Sequence, residues 1–345
     1  MTFCDTTTLI PHLVQDYMMP YIENLHATKG IKIGCYFRSN YTDSAWNTAY
    51  GKSLIASGVI WPDLYFFPDP ISDYTEEAVM RAWDYLLPWF VENFGRIPNA
   101  VDFSSGVMSY KSYLAPYFLA ADSSVQDLSK TDYGIGVGNP DDVPYSQARY
   151  YPRYLNTRAL DNGRVDDENY AYYINQVADL IDETMALPNG GLAINFQHLH
   201  DLIDMDYNPD GTPKPGRDDY ALINGFQAYY DMLASKNANG DIYFAGFGEA
   251  VAYLVYRQLV TRCVMYSPRT DPNSKLIIRL QAENTLNIDP NLIQIPISVK
   301  FSTNGTPLQG HAISAPGLNL INLGGGDYIV EIPYEEFPAA VIVKS

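Results

Sequence analysis

The sequence predicts an α/β fold built on a parallel sheet, followed by a smaller all-β domain. Apolar runs alternate with segments of helical spacing over residues 1–265, and after residue 270 the chain changes to short β-rich runs separated by Asn, Gly and Pro. Hydrophobic residues make up 47% of the chain against 18% charged, ample for a buried core. Buried strands separated by helices imply parallel pairing, and the number of units suits a barrel or a doubly wound sheet. In both architectures chemistry gathers at the C-terminal ends of the strands.

Taken in order, "MTFCD" is a short apolar run ending in polar residues, and "PHLVQDYMMPYIENLHA" has helical spacing interrupted by Pro20. "IKIGCYF" (31–37) reads as a buried strand, residues 43–57 as a helix, and "GVIWPDLYFF" as the next apolar segment. The clearest helix opens at the cap-like "SDYTEE" and carries Val79, Trp83, Leu86, Leu87 and Phe90 before Gly95, with a bend expected at Pro88. "NAVDFSSG" is a strand-to-loop junction, and 110–165 reads as irregular. "NYAYYINQVADLIDETMAL" is a helix, "GGLAINF" a strand, "DDYALINGFQAYYDMLASK" a helix, "DIYFAGF" a strand and "GEAVAYLVYRQLV" the last helix. The β-rich tail reads as a small antiparallel β-sandwich. Residues just after each apolar run are therefore the ones to weigh: Cys4 and Asp5, Arg38, Asp63, Asp102 with Ser104, and His198 to Asp201.

Composition narrows the function classes. A net charge of −18, from 40 acidic and 22 basic residues, repels a phosphate backbone and argues against a nucleic-acid partner. The 29 Tyr suit sugar-stacking surfaces and equally suit a core. Three cysteines without a CxxC spacing predict neither a disulfide scaffold nor a structural zinc. No stretch has the length and apolarity of a membrane span, and "MTFCDTTTLIPH" has no basic region leading into an apolar one, so no signal peptide is expected from it.

The strongest local constellation is "HLHD". On a strand His198 and His200 share one face, with Asp201 at the turn, and a histidine beside a carboxylate serves as a general acid or a metal ligand. The alternative is a pair of histidines satisfied locally in a loop. Weaker patterns are the glycines of "GIGVGNPDD" and the oxygen-bearing residues of "DYNPDG", both read as turns. Tyr150, Tyr151 and Tyr154 with Arg149 and Arg153 form either a sugar-binding rim or a loop packed on the sheet.

Two motifs resemble those of the polysaccharide deacetylase family. "TFCDTTT" is similar to that family's first motif, T-F-D-D-G, and Leu199, His200 and Asp201 match its last, L-H-D. "GIKIGCYF", "FGRIPNAVDFSSG" and "FAGFGEAVAYL" are similar in layout to the second strand, the third-motif region and the closing strand and helix. The resemblance implies a distorted (β/α) barrel over residues 1–268 with a β-sandwich, Ig-like, over 269–345. It implies a hydrolase of acetylated glycan, extracellular or at the cell surface, using a divalent metal such as zinc. Carried over, Asp5 is the metal ligand and His200 the acid that protonates the leaving group; Asp201 beside it is a further catalytic candidate, and Cys4, Arg38, Asp63, Asp102, Ser104 and His198, by their places after apolar runs, are the substrate-binding candidates.

The chain departs from the family's pattern at three places. Cys4 stands where the base aspartate belongs, "VIWPDLYFFPDP" contains no histidine where H-x-x-x-H belongs, and Asp102 replaces the third motif's arginine. A metal held by Asp5 alone is weakly bound. Three readings follow: a divergent glycan deacetylase in which Asp5 or Asp102 is the base, an inactive barrel that binds glycan in the old groove, and a glycoside hydrolase using paired carboxylates.

Overall fold

The computed structural model describes residues 2–4, 14–38, 48–66, 75–103, 117–123, 153–156, 174–186 apart from 176, 180 and 184, 193–198, 224–268 apart from 239, 275–284, 288–334 and 338–345. The chain divides into two compact units, Met1–Ala250 and Val251–Ser345.

The N-terminal unit alternates strands and helices. Strand β1 (Thr2–Cys4) is followed by a π-helical turn, Val14–Met18, leading into helix α1 (Met19–Lys29). Pro20 lies one residue past the change from π- to α-helix, with Met18 already in helical conformation, so the helical stretch from Val14 alters its winding at Pro20. Gly30, at φ 66°, ends it and donates to the His26 carbonyl. Strand β2 (Ile33–Arg38) and helix α2 (Ala49–Ala56), capped by Thr48 accepting from the Gly51 N–H at 3.0 Å, precede strand β3 (Ile60–Phe66). Helix α3 (Glu76–Phe94) runs through Pro88 without losing its assignment, from the Thr75 cap to Gly95 at φ 70°. Its buried stripe is Val79, Trp83, Leu86, Phe90 and Phe94, the three-to-four spacing of one helix face. That stripe joins a core in which Phe94 meets Phe37 at 4.4 Å and Trp83 meets Phe118 at 5.0 Å between ring centroids.

Strands β4 (Ala100–Phe103), β5 (Ala120–Ser123), β6 (Arg153–Asn156) and β7 (Ala193–His198) complete a seven-stranded sheet of order β5-β4-β3-β2-β1-β7-β6, parallel at every pairing. Among the described residues no pairing of β5 with β6 closes it, so the observed architecture is an α/β parallel sheet. Helices α4 (Asn224–Lys236) and α5 (Phe247–Leu259) follow, and helical residues also lie between 174 and 185. Among the described residues no helix is long and apolar enough to cross a membrane.

Three expectations change. Residues 110–165 are not wholly irregular, because β5 and β6 lie there; "AADS" and "RYLN" are too short and polar to show a strand period. "DIYFAGF" is not a strand. Phe244, Ala245 and Gly246 are buried, and Gly246 lies so close to Trp61 and the Gly34 Cα that a side chain there would collide with the Trp61 Cβ. The apolarity of the segment's end accompanies this close approach to β2 and β3. The β-rich region also starts before 269: β8 (Val260–Tyr266) follows α5 directly and pairs antiparallel with β9 (Lys275–Ala282).

The C-terminal unit contains a further five strands: β10 (Ile297–Ser302), β11 (Ile313–Ser314), β12 (Leu320–Gly324), β13 (Asp327–Ile332) and β14 (Ala339–Lys344). They form two antiparallel sheets, β10-β13-β12 and β11-β14-β9-β8. Alternate residues of both enter one apolar cluster, with Leu276, Ile278 and Leu280 from one sheet and Ile297, Phe301, Val330 and Ile332 from the other. Tyr256 of α5 is buried in the same cluster and donates its hydroxyl to the Pro333 carbonyl at 3.1 Å.

Candidate functional site

Sheet register brings together residues far apart in sequence. Strand β1 lies between β2 and β7, with Cys4 paired to Tyr36 on one side and to His198 on the other, and Tyr36 is paired to Asp63. The row His198–Cys4–Tyr36–Asp63 therefore crosses four neighbouring parallel strands. Two residues further along the strands a second row, Arg38–Tyr65–Asp102–Asp122, crosses β2 to β5. The two rows are separated by two residues along each shared strand.

Cys4 and His198 are the last residues of their strands and are paired with each other. Of the residues singled out from sequence, Cys4, Arg38, Asp63, Asp102 and His198 stand in the two rows. Asp5, Ser104, His200 and Asp201 lie outside the described residues, as do Tyr150, Tyr151 and Arg149. Tyr36, Tyr65 and Asp122 were not singled out. Their strand interiors hide them in sequence, and only the pairing of β2 through β5 reveals them.

Asp63 differs most from expectation. It is the fourth of seven residues in β3 and has no exposed surface, so it does not stand at an open strand end contacting substrate. Its Oδ2 accepts the Gly248 N–H at 3.1 Å, at the N-terminus of α5, where the exposed amide dipoles favour negative charge. Gly248 must be glycine, since a Cβ would collide with Asp63 Oδ1 and Asn99 Oδ1. Trp61 Nε1 donates to Asn99 Oδ1 at 3.4 Å, and the Arg96 guanidinium covers the Trp61 ring at 3.9 Å. Asp63 Oδ1 and Arg96 Nε are buried with no hydrogen-bond partner among the described residues.

Glu249 fixes the same turn. Its Oε2 accepts the Gly246 N–H at 3.3 Å, reaching back across the first turn of α5 as in a capping box. Its Oε1 accepts from Lys32 Nζ at 2.8 Å and from the Tyr243 hydroxyl at 2.9 Å. The resulting electrostatics act on Asp63 from both directions. Burial pushes its carboxyl well above the usual carboxylate range, against the Gly248 N–H, and the Glu249 charge adds to the rise while Arg96 opposes it. Burial pulls Arg96 below its ordinary value, against the pull of Glu249 and Asp63.

Asp63 is not placed to hold a metal ion. Asp63 is the one ionisable residue that the strand-forming part of "VIWPDLYFFPDP" offers in place of the histidines. It is enclosed, and its Oδ2 is occupied by Gly248. Among the described residues no group of three His, Cys, Asp or Glu is arranged to hold a metal ion. Neither a protein-family model nor a curated protein sequence matches this chain.

Proposed function

We propose that the N-terminal unit is a divergent carbohydrate-active hydrolase that removes acetyl groups from a glycan, its parallel sheet forming the wall of a distorted (β/α) barrel. The observation that carries this reading is the parallel pairing of Cys4 with His198. It sets Cys4 of "TFCD" opposite His198 of "HLHD", separated by most of the unit's sequence, each the last residue of its strand. In this reading Asp5, directly after Cys4, or Asp102 of the second row takes the proton of the attacking water. His200 gives a proton to the departing sugar nitrogen or oxygen, with Asp201 supporting its charged form. Such a protein works at the cell surface or outside the cell, where acetylated glycans are met.

A second reading is a glycan-binding protein without catalysis. The enclosure of Asp63 favours it, because the strand that carries histidines in the resembling family presents here a carboxyl committed to helix α5. One experiment separates the two: purified protein is incubated with partly acetylated chitin oligomers, xylan and peptidoglycan, and free acetate and glycan binding are both recorded. Acetate release supports the hydrolase. Binding without release supports the second reading, and neither on any of the glycans removes both.

A further inference from the structure

The sheet β11-β14-β9-β8 has a one-sided charge. Its strands contain Arg262, Lys275, Arg279 and Lys344 and no Asp or Glu, in a chain of net charge −18. Basic and acidic residues are equal in number over 251–345, so these cations are sorted onto one sheet and are not a general surplus. Register sorts three of them further. Leu276, Ile278 and Leu280 of β9 are buried with Ala340 and Ile342 of β14, which leaves Lys275, Ile277, Arg279 and Gln281 on the outer face.

On that face Ile277 is paired with Val341 on one side and Tyr266 on the other, an apolar row whose ends are 42% and 39% exposed. Lys275 and Arg279 stand two residues to either side of Ile277, about 7 Å along the strand. Arg262, paired with Gln281, extends the cationic side past Arg279. Arg262 and Arg279 are exposed and have no ion-pair partner among the described residues. Glu283, beyond the end of β9, accepts a hydrogen bond from Gln281 at 2.8 Å.

We propose that this face binds an anionic polysaccharide, a chain of carboxylated sugars. A pyranose ring has a flat C–H face and a polar rim. The Val341–Ile277–Tyr266 row matches the ring face, with Tyr266 as the aromatic platform. The carboxylate on the rim meets a guanidinium, whose planar fork matches it in two hydrogen bonds. On the central strand the apolar Ile277 is bracketed by Lys275 and Arg279, while Val343, Ala339 and Val264 stand beside those cations on the neighbouring strands, so charged and apolar groups alternate within reach of a single polymer chain. This site stands on the C-terminal unit and needs no catalysis elsewhere in the chain.

The test is calorimetric titration of the full chain with polygalacturonate and with its fully methyl-esterified, uncharged form, at low salt and at about 0.5 M NaCl. The expected result is binding of the charged polymer only, weakened by salt. It should fall at least tenfold in Arg262→Ala/Arg279→Ala and several-fold in Tyr266→Ala, while Arg279→Lys retains part of it. Circular dichroism and thermal unfolding check that the variants remain folded. Absence of binding at low salt, equal binding by the folded double variant, or equal binding of the uncharged polymer overturns the proposal. So does salt-sensitive self-association that the double variant abolishes and polygalacturonate does not compete. Acetate release in the same preparations bears on the N-terminal unit alone, so failure of either proposal is seen separately.

Discussion

Replacing Asp63 by Asn separates two consequences of burying a carboxyl. The side-chain carbonyl that accepts the Gly248 N–H is kept, while the ionisation that burial opposes is removed. Because the folded-state pKa is raised above the unfolded value of about 3.9, the native state holds the proton more tightly. That contribution is fully present below about pH 4 and is lost as pH rises through the folded value. Urea unfolding at pH 4.5 and pH 8 is the measurement: Asp63→Asn should gain stability relative to wild type on going to the higher pH. A difference independent of pH would show that Asp63 is not held in a raised state. Gly248→Ala tests the close approach from the other side. Its Cβ would meet Asp63 and Asn99, so thermal unfolding should report a loss of about 1–3 kcal/mol. Neither role can be read from "IWPDL" or "GFGEA" alone. What makes Asp63 a helix cap and Gly248 indispensable is the crossing of β3 by a segment nearly two hundred positions later.

At the scale of elements, local rules carried the long helices. Thr75, the acidic first turn of Glu76 and Glu77, the stripe from Val79 to Phe94 and the terminal Gly95 all mark α3 in sequence, and the helix spans Glu76–Phe94. The Thr75 side chain accepts from the Ala78 N–H at 3.3 Å. Thr75→Ala should therefore cost about 1 kcal/mol of unfolding free energy, measured by urea denaturation, and Thr75→Ser should cost much less. Short elements escaped the same rules. Strands β5 and β6 have four residues each and no apolar period, and they exist because β4 and β7 offer them ladders. "DIYFAGF" differs in the opposite way: its end, Phe244 to Phe247, is buried, with Gly246 against Gly34 and Trp61, and a buried apolar run resembles a strand in one dimension.

For the whole molecule, the alternation of apolar runs with helical periods is enough to anticipate a parallel sheet, and the change of texture after residue 270 anticipates the antiparallel unit. The order of strands is another matter. That β1 lies between β2 and β7 is a long-range pairing, and it alone puts Cys4 beside His198 and extends the row to Tyr36 and Asp63. Of the residues read as a site from sequence, the register unites Cys4, His198 and Asp63 in one row and Arg38 and Asp102 in the next. Asp63 itself has no exposed surface. The catalytic proposal rests on the chain continuing from Cys4 to Asp5 and from His198 to His200. The most direct test is the initial rate of acetate release from a partly acetylated glycan by wild type, Asp5→Asn and His200→Ala, all verified as folded. A general acid contributes about 10²–10⁴-fold, so His200→Ala should lose at least two orders of magnitude, with a comparable loss in Asp5→Asn if Asp5 is the base. Equal rates for wild type and His200→Ala, or no release by wild type, would contradict the proposal that these strand ends form a deacetylase site.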